Sequence, residues 1–207
     1  MKRIATMMVM AIVCFSMAKA QTDDEFYGSA KEQQKKEWVN PAGPWVLSVG
    51  GFYGSRTISL SKSNSVDIGN GDVDYKFHDV KGVNATIENK WMCVEARYGA
   101  AKSLTLLSGK LLFGGSLMPR SRFQILLHAG GGYSYNKIDD KHLEKDGLSA
   151  LDLAARLRMR YYFTDRLALY AGGNAGLSIM GDVIYDDLKL NAGGAWADAE
   201  LGIALSL

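Results

Sequence analysis

The chain has 207 residues, 47% of them hydrophobic, with 24 Lys+Arg against 22 Asp+Glu. That length fits one domain, the hydrophobic content excludes a disordered chain, and the balanced charge leaves no basic footprint for nucleic acid. With 3 Pro and 2 Cys it is neither a proline-rich linker protein nor a disulfide scaffold, and its 23 Gly are the compositional outlier.

Lys2 and Arg3 open a positive start, Ile4 to Met17 is apolar except for Thr6 and Ser16, and Ala18-Lys19-Ala20 is a small-x-small site. This pattern is an export signal cut before Gln21. Its apolar stretch is short of the roughly 20 residues of a spanning helix, and Val13 is not the small residue that lipidation at Cys14 requires. Cleavage removes Lys2, Arg3 and Lys19, leaving 21 basic and 22 acidic side chains and Cys93 as the remaining cysteine, so no internal disulfide is expected. Residues 21–43 form a separate segment carrying Asp23, Asp24, Glu25, Glu32 and Glu37 beside Lys31, Lys35 and Lys36. Within it Ser29-Ala30-Lys31-Glu32 is a capping box for a short helix to about Trp38, ended by Asn40 and Pro41. We expect this segment to be a periplasmic tether or cap.

From residue 44 the apolar pattern has period two, the mark of strands. Strands are expected at 44–56, 81–89, 91–99, 103–117, 122–136, 148–163, 167–181 and 191–207. Phe123 to Tyr135, Leu151 to Phe163, Leu167 to Ile179 and Ala195 to Leu207 carry no charge on their odd positions. The third strand reverses parity, with Met92, Val94, Ala96 and Tyr98 apolar. Joins at 89–90, 118–121 and 164–166 are tight, whereas those at 57–80, 137–147 and 182–190 are long; only 100–102 breaks the alternation. Short turns at one rim and long loops at the other are the pattern of outer-membrane barrels. Aromatics then fall in two girdles: Trp45, Phe123, Tyr161 and Phe163 at the periplasmic interface, and Tyr53, Tyr98, Tyr133 and Tyr135 at the outer one. Trp91 turns inward or to the rim. Asp79 and Lys81 on the outward parity of the second strand put the start of its membrane part near Gly82.

The alternating strands, the stretch Gly130-Gly131-Gly132-Tyr133-Ser134-Tyr135 and the terminal alternation Leu201 to Leu207 resemble the small eight-stranded outer-membrane barrels, the OmpA-type transmembrane domain and its relatives. The likeness covers about residues 44–207. It implies an all-β, antiparallel up-and-down eight-stranded transmembrane barrel with a short N-terminal extension. It implies outer-membrane lipid, lipopolysaccharide and the barrel insertion machinery as partners. Such families usually end in an aromatic residue, where this chain has Leu207.

An eight-stranded barrel is just wide enough for side chains. Parity turns Glu88, Glu95, Arg97, Lys110, Asp152, Arg156, Arg158, Arg160, Asp198 and Glu200 inward, five of each sign. Unpaired charges in that space are costly, so the balance predicts a closed ion-pair network rather than a pore. Arg156, Arg158 and Arg160 are expected to pair with Asp198, Glu200 and Asp152; the alternative is an anion-selective rung. His128 is expected inside, near Leu112 and Arg156, as a network member.

Some small barrels remodel acyl chains on lipid A with His, Ser and an acid at the rim. Here His78-Asp79 lies in the first outer loop and His142 beside Asp139 and Asp140 in the third, without a His-x-Ser-Asn pattern. If a site exists, His78 is its general base. Asp67 to Asp74 does not have EF-hand spacing and is expected to form a turn around Gly69, Asn70 and Gly71. The expectation is therefore a monomeric, closed membrane anchor displaying its loops for structural or binding roles, with no catalysis, cofactor or metal. The alternatives are a lipid-modifying barrel enzyme and a narrow transporter of small or apolar molecules. The structural rival is a soluble lipocalin-like barrel, which would put the apolar rows inside.

Overall fold

A strand with different surroundings on its two faces holds one register, because a one-residue slip would exchange the faces. The computed structural model describes residues 45–62, 71–118 and 121–207. The export signal at 1–20, the segment 21–43 with its helix to Trp38, and the Gly69-Asn70 part of the expected turn lie outside the described residues. The described chain forms β1 (Val46–Ser61), β2 (Val73–Glu88), β3 (Met92–Ala101), β4 (Leu104–Ser116), β5 (Phe123–Ile138), β6 (Gly147–Tyr162), β7 (Leu167–Tyr185) and β8 (Leu188–Ser206). Each strand pairs antiparallel with the next, and β8 returns to β1 to close the barrel.

The apolar rows are on the outside. Leu47, Val49, Val83, Leu107, Leu111, Leu151, Leu153, Leu201 and Ile203 are all exposed, which removes the soluble-barrel reading. A continuous band of this kind belongs against hydrocarbon.

Strands β3 to β6 run close to the expected bounds, but the hairpins flanking them are longer. The expected loop 57–80 is mostly strand: β1 continues to Ser61 and β2 begins at Val73. The inward row carries on through Arg56, Ile58 and Leu60, while the outward positions become polar at Ser55 and Thr57, so the lipid-type pattern stops before the pairing does. A register shift between Gly54 and Arg56 marks the change. The expected loop 182–190 is a two-residue turn, with Tyr185 paired to Leu188 and Asp186 and Asp187 at φ 45° and 62°. Positive φ at both central residues is the hairpin geometry that usually selects Asn-Gly; here two aspartates adopt it.

At the opposite rim the turns are short. Asn89 Oδ1 accepts the Trp91 and Met92 N–H groups at 3.1 and 2.9 Å. Thr164 Oγ1 accepts those of Arg166 and Leu167 at 3.3 and 2.9 Å. Trp91 does not turn inward; it is exposed at the rim and stacks on Phe113 with centroids 6.1 Å apart. The β4–β5 connection occupies 117–122, so His128 pairs with Gly114 rather than standing beside Leu112. The longer turn moves the register by two residues.

Candidate functional site

The lumen has two halves. Toward the short-turn rim, the inward positions of five strands, β2, β3, β4, β6 and β8, carry charge. Arg160 and Glu88 are in direct contact. Arg158 Nε donates to Glu200 Oε1 at 2.8 Å, and Arg156 lies 3.5 Å from both Glu88 and Glu95. Arg97 donates two hydrogen bonds to Asp198, at 2.7 and 3.0 Å, and lies 3.0 Å from Glu95. Lys110 is 3.5 Å from Glu95. Burial of these side chains in so narrow a space is tolerable because each charge lies within 4 Å of an opposite one, Arg97, Arg158 and Arg160 also donating hydrogen bonds to carboxylates.

The pairing differs from the expected one. Of the three arginines of β6, Arg158 meets Glu200, but Arg156 and Arg160 meet Glu88 instead of Asp152 and Asp198. Asp152 is held by Arg56, a residue absent from the expected set, at 3.5 Å. Arg56 is buried and has the inward parity of β1, which is the signal that locates it. Counting it, six cations face five carboxylates. His128 adds no further charge: Arg156 donates to its Nδ1 at 3.1 Å, so that nitrogen accepts and the ring is the neutral tautomer with hydrogen on Nε2.

Three cations also lie against aromatic faces, another feature that alternation alone does not show. Arg158 is 4.0 Å from the Tyr170 ring centroid, Arg97 4.7 Å from Phe52, and Lys110 4.4 Å from Trp196. The rings fit because glycines face them. A Cβ on Gly50 would sit 2.3 Å from the Tyr170 hydroxyl, and one on Gly99 would sit 2.7 Å from Phe52 Cζ. Part of the glycine excess is thereby explained as room for ring-on-backbone packing.

Toward the hairpin rim the filling turns apolar. Phe52, Ile58, Leu60, Leu104, Leu106, Ile138, Leu148, Met180, Val183 and Leu190 form one buried cluster. Arg56 stands at the border, donating to Ser178 Oγ at 2.7 Å and Ser134 Oγ at 3.2 Å, and both serines donate to Asp152. The space bounded by Phe52, Arg56, Arg97, Lys110, Trp196 and Asp198 is about 20 Å³, the room of a single water.

The 139–146 loop crosses the outer mouth. Leu143 is 5% exposed within the apolar cluster and bridges Tyr185. His142 Nδ1 is 2.9 Å from Asp186 Oδ1, and its ring lies 5.7 Å from that of Tyr185. Asp140 accepts from the His142 N–H at 2.9 Å and from the Tyr75 hydroxyl at 2.7 Å. Those donors, the backbone one first, hold the Asp140 carboxyl below the usual carboxylate range. Burial, then the bond to Asp140, pushes the Tyr75 phenol up.

The rim residues singled out for catalysis are not brought together. His78 is exposed on β2, and Asp79 accepts from the Tyr53 hydroxyl at 2.5 Å instead. The other rim histidine, His142, faces Asp186 of the β7–β8 turn. Asp72 and Asp74, from the expected turn, accept from the Lys62 and Gly71 backbone N–H groups. No cluster of metal-ligating side chains occurs among the described residues. Of the girdle residues, Trp45, Tyr161 and Phe163 are exposed near the short-turn rim, and Phe123 there is half-buried. Tyr53, Tyr98, Tyr133 and Tyr135 are exposed toward the hairpin rim.

No family profile matches the chain, and no curated protein matches it. Solved structures do. Neisserial surface protein A aligns with a TM-score of 0.52 at 13% identity, over 80% of this chain and 99% of that one. The outer membrane protein OprG from Pseudomonas aeruginosa aligns at 0.49 and 12% identity, over 79% and 95%. Ail, the attachment invasion locus protein of Yersinia pestis, aligns at 0.41 and 9%, over 77% and 97%. The chain has the fold of the small eight-stranded outer-membrane β-barrels.

Proposed function

We propose that the protein is a monomeric outer-membrane anchor whose lumen is closed to ions and whose outer hairpins and 139–146 loop serve structural or binding roles. In this reading residues 1–20 direct export, the exposed apolar band meets outer-membrane lipid, and the outer rim lies among lipopolysaccharide headgroups. Insertion is the work of the cell's barrel insertion machinery, and neither a cofactor nor a metal takes part. The girdles Trp45, Phe123, Tyr161 and Phe163, and Tyr53, Tyr98, Tyr133 and Tyr135, stand at the two interfaces.

The observation that carries the reading is the filling of the lumen by buried ion pairs, Arg97 with Asp198, Arg158 with Glu200 and Arg160 with Glu88. A barrel stopped there by ion pairs conducts nothing at rest, which favours the anchor over the anion-selective rung. Reconstitution in a planar bilayer tests it. The expected record is a flat baseline; large, regular single-channel steps would overturn the closed-lumen reading.

A further inference from the structure

The wall of the barrel has a window. Strands β6 and β7 pair from Tyr162↔Ala168 up to Ala150↔Met180 and then part. Above that point Gly147, Leu148 and Ser149 keep their β5 partners, while β7 shifts register between Ile179 and Asp182 and follows β8. The Leu143↔Tyr185 bridge and the Glu144 N–H donated to Ile184 O at 3.2 Å close the opening at the top. The frame borders a half-open cavity of about 470 Å³.

Its lining points to one kind of occupant. Leu148, Met180 and Val183 line it and belong to the buried apolar cluster, so they supply an apolar floor. Just below the frame, Ile179, Leu151 and Leu177 are exposed on the outward band, level with Tyr133, so the apolar band runs up to the edge of the window. A Cβ on Gly181 would meet nothing within 4 Å, so the β7 side of the window is open. Among the charges of the lining, Asp182 is paired with Lys189 at 2.6 Å, Glu144 is exposed, and Lys145 is exposed with no ion-pair partner among the described residues.

We infer that this window binds one long-chain fatty acid, the chain lying on Leu148, Met180 and Val183 and the carboxylate meeting Lys145. The cavity is in the lower part of the range for small-molecule sites, roughly 300–1,000 Å³, and backbone closes it above and below, so it takes a single chain rather than a two-chain lipid. The inference rests on the membrane reading above, because the chain enters from the bilayer.

The test is photolabelling. The full protein, reconstituted in phosphatidylcholine vesicles, is exposed to a diazirine-bearing long-chain fatty acid, and labelled residues are mapped by mass spectrometry. Labelling at Leu148, Met180 and Val183 should saturate and be competed by the unmodified fatty acid, whereas labelling of the wall at Leu151 and Leu177 should do neither. Val183→Trp should abolish the saturable signal, and Leu177→Trp should leave it intact. Lys145→Glu, an exposed change that leaves the fold alone, should weaken the fatty acid about two- to fivefold, the worth of one exposed ion pair, and leave its methyl ester unaffected. Glu144→Gln should tighten it. Wall labelling without saturable labelling in the window overturns the inference and spares the membrane reading. An unlabelled wall overturns both.

Discussion

Glu88 and Leu60 are equally hidden, at 2% and 0% exposure, near opposite ends of one barrel, and different physics holds each of them. Around Glu88 three arginines of β6 converge, so its environment specifies charge, direction and hydrogen-bond geometry. Around Leu60 the neighbours are other apolar side chains, so the environment specifies volume only. Burial is favourable for the second half by itself, at about 25 cal/mol per Å² of apolar surface. In the first half desolvation offsets much of the Coulombic gain. The outer half therefore supplies stability, while the inner half ties strands that are distant around the barrel: β6 to β2 through Arg160 and Glu88, β6 to β8 through Arg158 and Glu200, and β3 to β8 through Arg97 and Asp198.

The contrast is broken most directly at Glu88. Glu88→Gln keeps the volume but removes the carboxylate that Arg160 meets and one of the two that Arg156 and Arg158 each meet, and should cost about 3–5 kcal/mol in urea unfolding from vesicles. Arg56→Met, at the border, should cost less, about 1.5–3 kcal/mol, because Ser134 and Ser178 still donate to Asp152. Ile58→Val should cost only about 0.5–1.5 kcal/mol, the effect of one methyl group in the apolar half. If Ile58→Val costs as much as Glu88→Gln, the two halves are not distinct.

The smallest effect is local. The folded Asp140 carboxyl is held below its ordinary value, so its contribution is present above the ordinary carboxylate range and is lost as pH falls through the lowered value. Acidification should speed amide exchange in 139–146 while β6 below Ala150 stays protected. Tyr75→Phe should produce a similar loosening of the loop at neutral pH, at about 0.5–1.5 kcal/mol.

Alternation made the wall legible because lipid and lumen demand opposite residues at successive positions. It put charges on the inward parity of β2, β3, β4, β6 and β8 but did not single out Arg56 on β1. It did not show who pairs with whom, since a partner across the lumen depends on stagger that no single strand encodes: Arg160 gives no hint in sequence that it meets Glu88 rather than Asp198. The outer hairpins were hidden for a different reason. Above Tyr53 the outward residues are Ser55 and Thr57, and nothing about a polar outward face distinguishes a strand beyond the bilayer from a loop. The Asp186-Asp187 turn escaped notice because its conformation is one that usually selects glycine. The window between β6 and β7 lay beyond reach as well, since it is a place where pairing fails.

The seam between β1 and β8 runs from Val46↔Ser206 to Ser61↔Asn191, and the Leu207 N–H reaches the Trp45 carbonyl at 2.9 Å. No other strand pairing among the described residues joins segments so far apart along the chain, so closing this seam carries the largest loop-closure cost. Until it happens the sheet has two free edges, each a row of unmatched amides flanked by oily side chains such as Leu47, Val49, Leu201 and Ile203. Two such edges on one chain recognise each other, but they recognise those of a neighbouring chain just as well. The unsealed ribbon is therefore the state with the exposed-edge hazard, and the zipped seam removes it.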